Sequence, residues 1–152
     1  MNVPKQTIIA FNKLLKFTAQ MAKGHNAIEI GHELVELGCD ELVSGGFWVL
    51  DLGTTVEYYS PKFRSSLGYE SEDDFPNHTD SWKNAIDEND LMVAVDNFNK
   101  HIGSDGVSPY YQEVTYNKKD GGQLRVLCSG CLIKDDAGQK SVLIGTHNII
   151  DP

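Results

Sequence analysis

Two cysteines three residues apart, Cys128 and Cys131, form the spacing in this chain that most suggests chemistry. On a helix or in a turn, a C-x-x-C pair is redox-active or binds a metal ion. This pair lies within an apolar run that predicts a β-strand, where side chains alternate between the two faces. Residues three apart then point in opposite directions, and no second C-x-x-C pair is present. We therefore expect two small strand residues, since free cysteine is often simply buried.

Two other groups of residues have types that suit catalysis or metal binding. His147 lies in a Gly-Thr-His run, but no serine–histidine–aspartate grouping is evident, so a structural strand histidine is favoured over a triad assembled in space. The acidic run from Glu70 to Asp74 lacks the glycine and the spacing of a calcium loop and predicts a solvated loop. We expect no catalytic residue and no metal site.

Composition restricts the classes of protein to which the chain belongs. Its 152 residues are enough for a self-sufficient core. The 22 acidic against 13 basic residues, a net charge of −9, disfavour nucleic acid and anionic membranes as partners. No apolar run approaches the roughly 20 residues of a membrane span. Three cysteines, an odd number, do not suggest a disulfide framework, so we expect a cytoplasmic location.

The C-terminal third predicts a three-stranded antiparallel meander. Runs 110–116 and 123–133 are joined by Asn117-Lys118-Lys119-Asp120-Gly121-Gly122, and run 141–150 follows after a second break. Asp-Gly and Gly-Gly supply the positive φ that tight hairpins require. One face of such a sheet must be covered by other elements.

The rest of the chain supplies helices and a second hairpin. Amphipathic spacing predicts helices over 5–23 and from about 27 to 37, the second with an Asn26/Glu29 capping box. Short strands follow at 47–52 and 54–59, then a short helix capped by Ser60 with Pro61 in its first turn. A polar stretch over 70–81 predicts a loop or single helical turns, and a long helix follows over 87–102. The order predicts an α+β fold, in which helices cover a five-stranded antiparallel sheet and an N-terminal helical hairpin precedes it.

From Gly46 onward the sequence resembles a PAS domain, the sensory module of bacterial signalling proteins. Residues 59–69 are similar to the family's Y-S-P-x-F-x-x-x-L-G-Y passage, and Trp82 with 86–90 resembles the step that opens its long helix. Glu113, the Lys119-Asp120-Gly121 turn and Gly145-Thr146-His147 match its closing strands. The resemblance implies a PAS-like domain over 44–152 and a helical extension over 1–43.

Departures from the family pattern bear on cofactors. His101 is late in the long helix, whereas the haem ligand of haem-binding relatives is early, so haem ligation is disfavoured. Residues 60–102 contain no cysteine for a flavin adduct, and the cofactor is left unknown. Ile149-Ile150-Asp151 stands where the family often has Asp-Ile-Thr, which leaves either a stand-alone module or a piece of a longer one.

The resemblance implies a sensor that binds a small ligand or a partner protein between sheet and helices and relays binding through flanking helices, as in the sensor part of a histidine kinase. The expected pocket residues are Trp48, Tyr58, Phe63, Trp82, Leu91, Val95, Phe98, Val126 and Cys128. The expected partners are a second copy of the chain or a downstream signalling protein, with a homodimer through Ile8, Phe11, Leu15 and Leu34. A protein-binding adaptor with a filled core and a small cavity-fold enzyme are the alternatives.

Overall fold

A computed structural model describes residues 5–22, 24–135 and 137–150 of the chain. Five antiparallel strands form one sheet in the order β2-β1-β5-β4-β3. The strands are β1 (Phe47–Asp51), β2 (Glu57–Tyr59), β3 (Tyr110–Asn117), β4 (Gln123–Lys134) and β5 (Lys140–Ile149). The predicted fold class, a five-stranded antiparallel sheet with helices in front of and between the strands, is confirmed.

Two N-terminal helices, α1 (Lys5–Met21) and α2 (Ala27–Glu36), cover one face of the sheet, here called the outer face. The predicted capping box is present: the Glu29 backbone N–H donates to the Asn26 side chain, and the Asn26 N–H donates to the Glu29 carboxylate. Such a box satisfies two N–H groups that the first helical turn leaves without partners. A short 3₁₀ turn (Cys39–Leu42), which the sequence did not predict, connects α2 to β1.

Three helices cover the opposite, inner face: α3 (Pro61–Ser66), α4 (Thr79–Ala85) and α5 (Glu88–Gly103). Ser60 caps α3 by accepting the Phe63 N–H, with Pro61 in the first turn as predicted. Helix α4 begins within the stretch 70–81, predicted as a loop or single helical turns, and extends beyond it to Ala85. A seven-residue helix contains too few apolar positions to show helical periodicity.

Alternation along the central strands separates two hydrophobic clusters. Phe47 and Val49 of β1 pack with α1 and α2 on the outer face, while Trp48 and Leu50 pack with the inner helices. Successive side chains of a strand point to opposite faces, which is why Phe47 and Trp48 lie on different sides of the sheet. Each fully buried side chain of this size stabilises the fold by about 1.5–3 kcal/mol relative to exposure.

Candidate functional site

A cavity of about 260 Å³ lies between the inner face of the sheet and helices α3 to α5. Exposed Thr54, Thr55, Lys83 and Asn99 mark its mouth. Its walls are mainly aromatic and are formed by Trp48, Phe63, Trp82, Phe98, Tyr110 and Tyr116. An apolar cavity with a few polar groups is the usual form of a small-molecule site.

Two aligned glycines in the sheet make room for two aromatic rings of the cavity wall. Gly130 and Gly145 lie side by side in the sheet, in register with Tyr110 on one flank and Trp48 on the other. A Cβ at Gly145 would lie 2.0 Å from Trp48 Cζ2, and one at Gly130 would lie 2.7 Å from Tyr110 Cδ2. The missing side chains therefore let the two rings lie over the sheet, where their centroids are 5.9 Å apart and their planes perpendicular.

Six of the nine residues predicted from the sequence line this cavity: Trp48, Phe63, Trp82, Val95, Phe98 and Cys128. Leu91 and Val126 do not line it. Both belong to the inner hydrophobic cluster, where they pack beside the cavity instead of bounding it. The prediction that these two residues line the cavity is therefore corrected. An apolar residue that packs in the core and one that lines a cavity have the same sequence pattern.

Tyr58 lies on the outer face of the sheet, and its prediction as a pocket residue was wrong. In the β1–β2 pairing, Trp48 is opposite Tyr59 and Val49 is opposite Tyr58. Residues directly opposite in an antiparallel pair share a face, so Tyr58 shares the outer face with Val49. The Tyr58 ring packs edge-on to His32 of α2 and beside Phe47.

The same register places Glu57 on the inner face, a residue that the sequence did not single out. Its side chain is only 4% exposed and lines the cavity. Burial raises the pKa of Glu57 from 4.5 to about 8, although the charge of Lys83 and a hydrogen bond from Trp82 favour the ionised form. Strand alternation places Glu57 and Tyr58 on opposite faces, but the sequence of β2 does not indicate which of the two faces inward.

The segment that precedes α4 holds the cavity wall against the edge strand β2. The Thr79 N–H donates to the Thr55 carbonyl at 2.9 Å, and the Glu57 N–H donates to the Asn77 carbonyl at 3.3 Å. The Tyr59 hydroxyl donates to the His78 carbonyl at 2.8 Å. These bonds position the start of α4, and Trp82 one turn later is thereby brought to the Glu57 carboxyl.

Helix α5 is anchored to the sheet at both ends. At its start the Thr115 N–H donates to the Asp90 carboxylate at 2.7 Å. At its end, His101 Nε2 accepts the Leu132 N–H at 3.0 Å, so Nδ1 carries the proton and donates to the Ser108 carbonyl at 2.6 Å. Both ring nitrogens of His101 are engaged, which agrees with the expectation that it is not a haem ligand.

Burial also favours the neutral forms of an imidazole, a thiol and two phenols on the wall. The pKa of His147 is lowered to about 3, and that of Cys128 is raised to about 12, in both cases chiefly by desolvation. Burial likewise raises the pKa values of Tyr110 and Tyr116 well above the usual range. The His147 ring lies 4.6 Å, centroid to centroid, from Phe63, as a packed aromatic would.

The expected dimer residues differ in their environments. Leu34 is fully buried beneath α2 against the sheet, so its prediction as an interface residue is corrected: the same chain already covers it. Phe11 and Leu15 are half-buried on α1. The Ile8 side chain lies outside the described residues. Exposed Ile9, at 47%, adds an apolar position on the same helix.

Cys128 and Cys131 lie on opposite faces of β4, as the strand alternation predicted. Cys128 belongs to the inner cluster, and both thiols are free. Within the described ranges, no group of three or more His, Cys, Asp or Glu side chains is arranged to hold a metal ion. No helix in these ranges is both long and apolar enough to cross a membrane.

The family model of the PAS fold matches residues 56–147. A search of curated proteins found no match. Among solved structures, a sensory box histidine kinase/response regulator from Burkholderia thailandensis is 20% identical, with a TM-score of 0.59 over 77% of this chain and 84% of that one. The N-terminal domain of a diguanylate cyclase with a PAS/PAC sensor from Marinobacter aquaeolei is 18% identical, with a TM-score of 0.58 over 68% of this chain and 92% of that one.

A third similar structure is the light-state dimer of the fungal blue-light photoreceptor Vivid. It is 17% identical, with a TM-score of 0.52 over 68% of this chain and 76% of that one. Identities this low establish likeness of fold alone. The family match begins at Val56 and ends at His147, so it includes helices α3 to α5, strands β2 to β4 and most of β5. Strand β1, which contributes Trp48 and Leu50 to the cavity wall, precedes the matched range. The chain belongs to the PAS fold family.

Proposed function

We propose that this PAS sensory domain detects a small ligand in the inner cavity and relays its binding to the N-terminal helices. The observation that carries the proposal is the enclosed aromatic space with one buried carboxyl, Glu57, on its wall. Space of this kind is not what an adaptor with a filled core would contain, because interiors are otherwise close-packed. The neighbours that are sensors of a histidine kinase and a diguanylate cyclase support a place in a signalling protein.

Mass spectrometry of the natively purified protein tests ligand binding directly. The variant Val95→Phe adds bulk to the cavity wall from α5. Val93→Phe adds the same bulk at an exposed position two residues away and is its matched control. We expect a small molecule to accompany the wild type and Val93→Phe but not Val95→Phe. Equal retention by all three, or no bound compound in any of them, counts against the proposal.

The path for relay runs through the central strands of the sheet. Trp48 touches the cavity, while the adjacent Phe47 and Val49 touch the helices on the outer face. The Asp51 carboxylate at the end of β1 accepts the Ala27 N–H at the start of α2, at 3.0 Å. A ligand that shifts β1 therefore acts on both the packing and the first turn of α2.

Hydrogen exchange tests the relay. We expect amide protection in α2 (Ala27–Glu36) to differ between protein purified with its ligand and protein stripped of it. The turn between β3 and β4 is the internal reference, because these strands lie at the opposite end of the sheet from β1 and β2. Unchanged exchange in α2, with altered exchange confined to α4 and α5, contradicts a relay to the N-terminal helices.

We also propose a homodimer through the outer surface of α1, with Phe11 and Leu15 in the interface. The dimeric state of Vivid, a protein of similar fold, supports this arrangement. Sedimentation of the Phe11→Ser variant tests the dimer, and Asn12→Ser, at an exposed polar position beside it, is the control. We expect the first substitution alone to shift the protein towards monomer. A wild type that stays monomeric at high concentration contradicts the dimer.

We propose that the domain itself performs no catalysis. A thiol whose pKa is raised to about 12 and an imidazole whose pKa is lowered to about 3 are poorly suited to nucleophilic or acid–base work near neutral pH. Three free cysteines also support the cytoplasmic location expected from the sequence. A cavity-fold enzyme stays the alternative, and chemical conversion of the retained ligand by the purified domain would favour it.

A further inference from the structure

The Glu57 carboxyl is the chemically distinctive group of the cavity. It is almost fully buried on β2, at the end of the cavity where α4 presents Trp82 and Lys83. Burying a carboxylate without a counter-ion is costly, so proteins rarely retain one away from a functional or ion-pairing role. Lys83 is the one cationic residue among the described residues of the wall, and its own side chain is exposed at the mouth.

Among the described residues, Trp82 and Lys83 are the groups that favour the ionised form of Glu57. An ionised carboxylate has about four acceptor positions. The Trp82 indole N–H provides one donor, and the charge of Lys83 acts on the group from the rim. Because Glu57 lines the cavity, a bound ligand with N–H donors and a positive charge would lie within reach of its carboxylate.

The rest of the wall suits the same kind of ligand. Trp48, Trp82, Tyr110 and Tyr116 present aromatic surface to the space next to Glu57. Aromatic rings attract organic cations, and the attraction is stronger when the contact is shielded from water. At the packing density of protein interiors, about 0.74, a cavity of about 260 Å³ holds roughly 190 Å³ of ligand, the size of a small bicyclic aromatic amine.

We propose that the cavity selects small organic cations, aromatic amines in particular, with the Glu57 carboxylate as the counter-ion and the aromatic walls as the cage. This inference rests on the proposed ligand-binding function and assigns the chemical class of the ligand. The net charge of −9 favours approach of a cation over that of an anion. A carboxylate ligand would have to lie beside Glu57 and keep one of the two acids protonated.

The pH dependence of binding follows from the groups that face Glu57. They are Lys83 on α4 and, from the strands, Tyr59, Tyr110, Tyr116, Cys128 and His147. Burial keeps the tyrosines, the thiol and the imidazole neutral between about pH 6 and about pH 8, and an alkyl ammonium ligand keeps its charge. Over this interval Glu57 changes from mostly protonated to half ionised, since burial raises its pKa to about 8.

Binding of three isosteric indoles to the full chain tests the assignment: tryptamine, its neutral alcohol analogue tryptophol and the anionic indole-3-acetate. 2-Phenylethylamine is a second, smaller amine probe. Calorimetric titrations use the wild type, Glu57→Gln and the surface control Glu33→Gln. We expect tryptamine to bind wild type at least about 30-fold more tightly than either analogue, and Glu57→Gln to abolish this preference. We also expect wild-type affinity for tryptamine to rise about 50-fold from about pH 6 to about pH 8, with a flat profile in Glu57→Gln.

Each outcome of these titrations either supports or overturns the assignment of the ligand as an amine. Equal or tighter binding of tryptophol or indole-3-acetate, or a preference for amine that survives Glu57→Gln, overturns the amine assignment while leaving the cavity as a ligand site. Failure of both amines to bind the wild type also overturns it. The ligand-binding function itself fails separately, through the comparison of Val95→Phe with Val93→Phe. Glutamine keeps an oxygen for the Trp82 N–H, and far-UV circular dichroism checks that each variant is folded.

Discussion

Replacing Glu57 by glutamine should change how the stability of this PAS domain depends on pH. In the folded protein burial raises the pKa of Glu57 to about 8, against 4.5 when it is free in water. Between these values the folded state holds a proton that the unfolded state releases. The resulting contribution to the free energy of unfolding is complete below about pH 4.5 and is lost as pH rises through about 8.

The size of the effect follows from the linkage relation. Each pH unit inside this window changes the free energy of unfolding by about 1.36 kcal/mol per proton. From about pH 5 to about pH 8 the wild type should therefore lose about 3.5 kcal/mol relative to Glu57→Gln, whose amide does not titrate. Because the carboxyl is only 4% exposed, solvent screening reduces this value little.

Urea unfolding followed by tryptophan fluorescence, at constant ionic strength and several pH values, measures the difference. Subtracting the two profiles removes the titration of every other group. Glu33→Gln, an exposed position on α2, is the control and should give a difference that does not vary with pH. A wild type and Glu57→Gln that keep a constant difference within about 0.5 kcal/mol would show that Glu57 is not held protonated by burial.

Three further predictions concern a glycine beneath the cavity wall, the anchor of helix α5 and the buried thiol on the wall. Gly145→Ala should destabilise the fold by about 3 kcal/mol or more in urea unfolding, because its Cβ would lie 2.0 Å from Trp48; a loss below about 1 kcal/mol contradicts the close approach. His101→Asn should cost about 2–4 kcal/mol and speed hydrogen exchange at the Leu132 amide, whose acceptor is lost; unchanged exchange there refutes the anchor. Iodoacetamide at about pH 8 should leave Cys128 unmodified in the native protein, since its pKa is raised to about 12, and rapid native labelling would contradict that burial.

Local signals in the sequence were sufficient for most of the helices and hairpins. The Asn26/Glu29 capping box, the Ser60-Pro61 helix start and the Asp120-Gly121 turn are interactions within a few residues, so their sequence patterns predict their structures. Helix α4 and the 3₁₀ turn at Cys39–Leu42 were missed because elements this short carry no periodic signal.

The errors at the site have a common origin in register. Tyr58 was chosen for its aromatic ring and Glu57 was passed over because a charged residue in an edge strand usually faces water. In the structure Glu57 pairs with Leu50 and faces inward, whereas Tyr58 pairs with Val49 and faces outward. Since side chains alternate, a shift of one residue in this pairing would exchange the two, and nothing local to β2 sets the shift.

The sequence alone determined the kind and order of most elements and the family, because caps, turns and hydrophobic periodicity act between near neighbours in the chain. Only the tertiary structure decided that Glu57 lies inside, that two glycines make room for Trp48 and Tyr110, and that Leu34 is covered by its own chain. These properties depend on which strands pair and which face each helix covers. Such contacts join residues far apart in sequence, and a linear pattern does not encode them.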